Sequence, residues 1–359
     1  MADADQANAI KARVEAALAA KTPVEIIGNG SKRFYGNSVD APALAVDGHR
    51  GVVNYEPTEL VITARAGTPI AEINAVLAEQ NQMLAFEPPL FGGSGTIGGA
   101  LATGLSGPRR PFWGSARDMV LGIRLLNGQG ELMRFGGEVM RNVAGYDTAR
   151  LNVAALGTLG IILEVSLKVL PAPPHHATLM LDAGANEAHR YTEQWLREGR
   201  PVSAVCHDGE NLWLRLSGTQ SAVNDALEQI DGEPLKADQA EAFWQSVRDH
   251  NHAFFATDEP IWRLSLPPAV DPGQFPGPQF IDWAGQQLWL RGEHAIEALR
   301  AQAQRLGGSV SCFSNAPAGV SAFHPLDAVQ LRLHQQLKKA FDPQAIFNPG
   351  RLYPELEEA

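Results

Sequence analysis

Gly92-Gly93-Ser94-Gly95-Thr96-Ile97-Gly98-Gly99-Ala100 is the stretch on which the reading of this chain turns. It is nearly bare of side chains, yet Thr96-Ile97 and the following Ala100-Leu101-Ala102-Thr103 alternate small and apolar residues, as packed segments do and flexible linkers do not. Missing side chains let backbone approach a bound group closely, and consecutive N–H dipoles favour an anion. The expectation is a phosphate nest formed by Ser94, Gly95, Thr96, Ile97, Gly98 and Gly99.

Two further glycine turns flank it. Gly28-Asn29-Gly30-Ser31-Lys32 follows the strand-like Val24-Glu25-Ile26-Ile27, and Gly157-Thr158-Leu159-Gly160 leads into Ile161-Ile162. Each alone reads as a plain turn. Together in one region they predict a pyrophosphate cradle. The first turn lacks Rossmann spacing, and the polar Ser31–Asp40 stretch starts no helix, so a Rossmann dinucleotide site is disfavoured.

Periodicity around these turns predicts alternating strands and helices. Ala4–Ala20 places Ile10, Val14, Ala17 and Leu18 on one helical face, ended by Pro23. Strand Leu60–Ala64 leads through Gly67-Thr68-Pro69 into a helix over Ile70–Asn81, with Thr68 as N-cap. Strands Met119–Leu126 and Glu131–Phe135 flank Asn127-Gly128-Gln129-Gly130, a hairpin signal. Strand Ile161–Leu170 ends at Pro171-Ala172-Pro173-Pro174, the predicted domain boundary. Beyond it, Leu212-Trp213-Leu214-Arg215 and Leu288-Trp289-Leu290-Arg291 each follow a strand, near Val202–Cys206 and Gln279–Trp283. Each also precedes a helix, Thr219–Ile230 and Glu293–Leu306, a weak repeat predicting an antiparallel sheet with helices on one face. A last helix spans Pro325–Ala340.

Composition narrows the function. The 359 residues are 45% apolar and 19% charged, an ordinary globular balance with room for two domains. A net charge of −11 without a basic tract argues against nucleic acid. No apolar run approaches the ~20 residues that span a bilayer, and Met1–Lys21 lacks the apolar core of a secretory signal. A cytoplasmic protein is expected, with any membrane contact peripheral and through a partner. The 2 cysteines, Cys206 and Cys312, read as buried free thiols and are too few for an iron–sulfur cluster, which takes about four.

The residues now amount to a resemblance. From Gly28 to Pro171 the chain resembles the FAD-binding domain of the vanillyl-alcohol-oxidase (PCMH-type) flavoproteins. Within that superfamily it is most similar to the E-subunit family of bacterial glycolate oxidases. Tyr55-Glu56-Pro57-Thr58-Glu59-Leu60, Ala64-Arg65-Ala66-Gly67-Thr68-Pro69 and Met83-Leu84-Ala85-Phe86-Glu87-Pro88-Pro89 carry the likeness. So do Gly95-Thr96-Ile97-Gly98-Gly99, Arg117-Asp118-Met119-Val120-Leu121-Gly122, Asn142-Val143-Ala144-Gly145-Tyr146-Asp147 and Gly157-Thr158-Leu159-Gly160. The closing Phe347-Asn348-Pro349-Gly350-Arg351 fits the superfamily's C-terminal signature.

The resemblance implies an α+β fold. A two-part PCMH-type FAD-binding domain would occupy 1–171, a smaller antiparallel α+β cap domain 172–323, and a segment returning to the FAD domain 324–359. It implies roles as well. Gly28, Asn29, Gly30, Ser31 and Lys32, with Gly93–Gly99, would hold the pyrophosphate. Ala102, Thr103, Trp113, Gly114 and Asp118 would line the flavin and ribityl chain, and Gly157, Gly160 and Ile162 the adenosine. Arg351, beside Asn348, would place positive charge near the isoalloxazine, where a cation stabilises the reduced anionic ring; a surface salt bridge is the alternative.

Two departures qualify those roles. Many relatives attach FAD through a histidine in the first loop; Ser31 stands there, which implies non-covalent FAD. Relatives that oxidise 2-hydroxy acids carry a His-x-Gly-Asp-Gly-Asn motif that this chain lacks. His175, His176, His207, His294 and His324 show no metal-ligand spacing, so no metal is expected. Oxidising glycolate also needs a base and a cationic clamp for the carboxylate. No convincing base stands out; His324 is the least bad candidate, and a solvated or core histidine is the better reading of it. The implied role is an FAD-binding oxidoreductase subunit working with a catalytic flavoprotein subunit and an iron–sulfur subunit on a small hydroxy acid. An autonomous flavoenzyme and a non-catalytic scaffold remain alternatives.

Overall fold

The computed structural model describes residues 4–137 and 147–357. The Asn142–Tyr146 part of the resemblance lies outside the described residues. The chain divides into two compact units. The first comprises Met1–Leu105, Ser115–Pro171 and Pro325–Ala359; the second comprises Ser106–Gly114 and Ala172–His324.

At the centre of the first unit is an antiparallel sheet in the order Val52–Glu56, Val61–Arg65, Ile161–Lys168, Val120–Leu126, Leu132–Gly136. Ile161–Lys168, at the middle of the sheet, is buried along all but its last residue, Glu164 and Ser166 included. The hairpin expected at Asn127 is present: its Oδ1 accepts from the N–H of Gln129 and Glu131, and Gly130 has φ 78°. A parallel pair, Glu25–Ile27 with Ala43–Ala45, is extended by a bridge from Val24 to Phe347. The N-terminal helix runs Ala7–Ala20 and buries Ala7, Ile10, Val14 and Ala17 against Leu44, Leu126 and Phe347. Helix Ile70–Ala78 is led by Pro69 rather than capped by Thr68. Buried Thr68 instead donates to Arg65 O (2.6 Å) and accepts from Gly51 N–H (2.9 Å), pinning the strand end. The last helix, Ala328–Phe341, starts at an Asp327–Gln330 capping box.

The second unit is one antiparallel sheet, eight-stranded among the described residues. Its order is Glu233–Pro234, His175–Leu181, Leu212–Gly218, Val202–His207, Gln279–Asp282, Gln287–Arg291, Ile261–Ser265, Ser309–Ser314. The sequence repeat is visible in that order. Strands His175–Leu181, Val202–His207, Leu212–Gly218 and Glu233–Pro234, with helices Glu187–Arg197 and Gln220–Leu227, form one β-α-β-β-α-β unit. Ile261–Ser265, Gln279–Asp282, Gln287–Arg291 and Ser309–Ser314 repeat it in mirrored strand order, with helix Ile296–Arg305 and a short 3-10 turn, Pro272–Gln274, for the other helix. The halves join at a single pair, His207 with Ile281.

Ser106–Gly114 departs from the expected contiguous first domain. Phe112 packs against the core around Leu179, Trp195 and Leu214, and Trp283 Nε1 donates to Gly107 O at 3.1 Å. Those apolar and polar ties assign the segment to the second unit.

Candidate functional site

The first unit holds a cleft edged by its glycine turns. Strand Glu25–Ile27 delivers the first glycine loop to one wall. Thr96, Gly98, Gly99, Ala102 and Thr103 of the second loop and its helix face it. The turn Asn152–Gly157, then Gly160–Ile162, Asn348 and Arg351 complete the lining.

The first loop is the open one. Among the described residues, no protein group accepts from the N–H of Gly28, Asn29, Gly30 or Ser31. Gly30 takes φ 71°, and its carbonyl accepts from Arg33 N–H, which closes the turn. Asn29 Nδ2 donates to Ser94 O at 2.7 Å and ties the first loop to the second. Buried Lys32 brings its ammonium 3.4 Å from Ser31 Oγ and 5.3 Å from the centre of the Phe91 ring. Open amides beside a buried cation form a nest for an anion.

The second loop differs from the expected nest. Its amides are engaged within the protein: Gly95 with Leu90 O, Ile97 with Thr68 O, Gly98 with Ala66 O, Gly99 with Thr96 Oγ1. Carbonyls at the end of the preceding strand need partners, and this loop supplies them. A Cβ on Gly98 would meet Ala66 Cβ at 2.6 Å, so that glycine serves packing. A Cβ on Gly95 would meet Lys32 Nζ at 2.9 Å, so Gly95 leaves room for the ammonium. Gly99 is the least crowded of these, since an added Cβ there meets only Thr96 Oγ1, at 3.2 Å. Gly93, Ser94, Gly95 and Ile97 support the cleft from outside its lining.

The third turn and the C-terminal signature lock together. Gly157 has φ 72°, and its Cβ would strike Asn348 Nδ2 at 2.8 Å. Asn348 Oδ1 accepts from Ile26 N–H (2.7 Å) and its Nδ2 donates to Leu156 O (2.6 Å), binding the first strand to the third turn. Arg351 is buried rather than part of a surface salt bridge. Its Nη2 donates to the carbonyls of Lys32 (3.3 Å), Arg33 (3.1 Å) and Tyr35 (2.9 Å). Burial lowers its pKa, opposed by Glu25 3.8 Å from Nη1. Its geometry is that of a clamp on the first loop.

Glu25 was missed. The one acid in an apolar strand, it lines the cleft and accepts from Arg33 Nε (3.0 Å) and Nη2 (2.6 Å). Asp118 is not brought to the cleft: its carboxylate accepts from Ser115 N–H and Oγ in a capping box. Trp113 and Gly114 belong to the second unit, where Arg109 lies 4.8 Å from the Trp113 ring and Gly114 ends the short helix Arg110–Trp113. His324 Nδ1 accepts from Val310 N–H at 3.3 Å, and burial followed by Arg300 lowers its pKa, which suits a packing residue. No His, Cys, Asp and Glu grouping among the described residues is fit to hold a metal. Both cysteines are buried, which raises the Cys206 thiol well above its usual range and Cys312 to about 11. No described helix is long and apolar enough to cross a membrane.

A cleft of glycine-edged backbone, with open amides and a lysine at one wall, fits the pyrophosphate of a dinucleotide, and the class defined is an FAD-binding flavoprotein. Residues 2–136 match the FAD binding domain family. p-Cresol methylhydroxylase with substrate bound shares the fold at a TM-score of 0.69 and 14% identity, over 98% of this chain and 88% of that one. Alkyldihydroxyacetonephosphate synthase shares it at 0.65 and 16%, over 96% and 75%. The glycolate oxidase subunit GlcE of Escherichia coli (strain K12) is 44% identical over 354 residues, 99% of either chain, and this chain belongs to that subunit family. The subunit GlcD of Bacillus subtilis (strain 168) is 33% identical over 120 residues, 33% of this chain and 26% of that protein.

Proposed function

We propose that this chain is the FAD-carrying subunit of a glycolate oxidase complex that oxidises glycolate to glyoxylate, beside a catalytic flavoprotein subunit and an iron–sulfur subunit. The observation that carries this reading is the open amide row Gly28–Ser31 next to Lys32, in a chain alike to GlcE along its whole length. The amides and the ammonium bind and orient the pyrophosphate, while Arg351 and Asn348 hold the loop in shape. Gly99 leaves the cleft open, and Ala102 and Thr103 form its floor. FAD, when bound, supplies hydride acceptance and onward electron transfer. Attachment is non-covalent because Ser31 offers no imidazole. The next carrier sits on another chain, since 2 cysteines cannot ligate a cluster. The complex works inside the cell, peripheral to the inner membrane where it meets one at all.

Purification tests this. The full chain should be yellow and release FAD, and complex activity with glycolate should vanish when the chain is left out. A flavin-free chain whose omission leaves glycolate oxidation intact would refute the reading.

A further inference from the structure

Arg263 lies on strand Ile261–Ser265, directly across from Trp289 on one neighbouring strand and Ser311 on the other. Its Nε donates to Oε1 of buried Gln287 at 2.6 Å. Among the described residues its Nη atoms have no hydrogen-bond partner, and it pairs with no carboxylate. The guanidinium carbon lies 5.0 Å from the centre of the Trp283 ring and 5.9 Å from that of Trp289. A second cation shares the same indole, with Arg110 Cζ 4.1 Å from the Trp283 ring.

The backbone holds Trp283 there at a conformational cost. Trp283 and Ala284 take φ 53° and 57°, left-handed geometry that is strained for L-residues and gathers at ligand sites. Two hydrogen bonds secure the turn: Trp283 N–H to Asp282 Oδ1 at 2.7 Å, and the indole N–H to Gly107 O at 3.1 Å.

We propose that Arg263 is the carboxylate-binding residue of a small-acid site on the sheet of the second unit. Gln287 takes the Nε–H and so fixes the plane of the guanidinium, leaving the two Nη groups as a fork. A planar fork matches the two oxygens of a carboxylate, and the two buried indoles flank the half-buried guanidinium. A 2-hydroxy acid such as glycolate is a ligand of this class, a choice that rests on the reading under Proposed function. The site supplies the cationic clamp that the sequence did not disclose.

The test is a titration of the full purified chain with glycolate, and separately with sulfate, followed by tryptophan fluorescence. Arg263→Met and Arg263→Lys are titrated alongside, and flavin absorbance and thermal midpoint are recorded on every sample. The parent should respond saturably to glycolate and much less to sulfate. Arg263→Met should bind glycolate roughly tenfold to a hundredfold more weakly, as expected for loss of a charge-assisted pair. Arg263→Lys, which keeps the charge but not the fork, should fall between. No saturable response in the parent, or unchanged affinity in Arg263→Met with the midpoint preserved, would overturn the site; an equal response to sulfate would overturn its carboxylate assignment. Should every sample lack flavin, the FAD reading fails while the fluorescence titration still decides the site.

Discussion

Lys338 and Asp342, one helical turn apart, form a 2.8 Å ion pair that is almost entirely shut off from solvent. The ammonium also donates to the carbonyls of Thr158 and Phe347, both at 3.0 Å, while the carboxylate accepts from the N–H of Ile346 and Phe347. The pair thus joins the last helix, the third glycine turn and the C-terminal signature. Removing one partner of such a pair strands the other charge. Lys338→Met should cost about 3 kcal/mol in urea unfolding, whereas Lys338→Met with Asp342→Leu should cost less than the sum of the separate changes.

Adjacent glycines in the second loop should respond oppositely to substitution. Gly99→Ala adds a methyl group at the cleft lining, where it meets only Thr96 Oγ1, and should lower bound FAD while leaving the thermal midpoint of the flavin-free chain near that of the parent. Gly98→Ala drives its Cβ into Ala66, and its loss should appear as a lower midpoint with or without flavin. Equal midpoints for the two variants would show that both glycines serve the same purpose.

The aromatic setting of His250 predicts a pH dependence. Its ring packs 4.7 Å from Phe313 and 5.1 Å from Trp289, and burial, then Arg263, pushes its pKa down from 6.5 to about 3. The unfolded chain therefore takes up this proton at a pH where the folded one does not. The stability this neutral imidazole confers is complete above 6.5 and drains away as pH falls from 6.5 toward 3, by at most ~1.4 kcal/mol per pH unit. The residue as a whole is half-buried, so the measured slope should lie below that limit. His250→Asn, which tolerates the local φ of 54°, should unfold with a shallower pH slope in that window.

Acid precipitation should release the flavin. With Ser31 in the first loop, all FAD should appear in the supernatant after trichloroacetic acid treatment; colour retained in the pellet would reveal a covalent bond elsewhere.

What could be read from the sequence is what is encoded locally. The Asn127 hairpin, the strand before Gly28 and the helix after Pro69 each follow from a few neighbouring residues, and all three formed. A glycine kept for packing and one kept for a ligand look alike in sequence. Gly98 and Gly99 are told apart by Ala66, which follows strand Val61–Arg65 and crowds Gly98 alone. Arg351 carried the same ambiguity, because its partners at Lys32, Arg33 and Tyr35 lie some 320 residues away. Ser106–Gly114 escaped because its allegiance depends on Trp283 and the core around Trp195, not on any break in its own composition.

Asn348 holds Ile26, and Arg351 the carbonyls after Gly30, so the first wall of the cleft is finished by residues made some 320 positions later. During synthesis the glycine loop leaves the ribosome well before the segment that clamps it. Loading of flavin then waits for that segment, and a chain cut short before it should fail to keep the cofactor. Truncation before Ile346 should leave a colourless protein, so possession of the flavin marks a chain completed through its C-terminal signature.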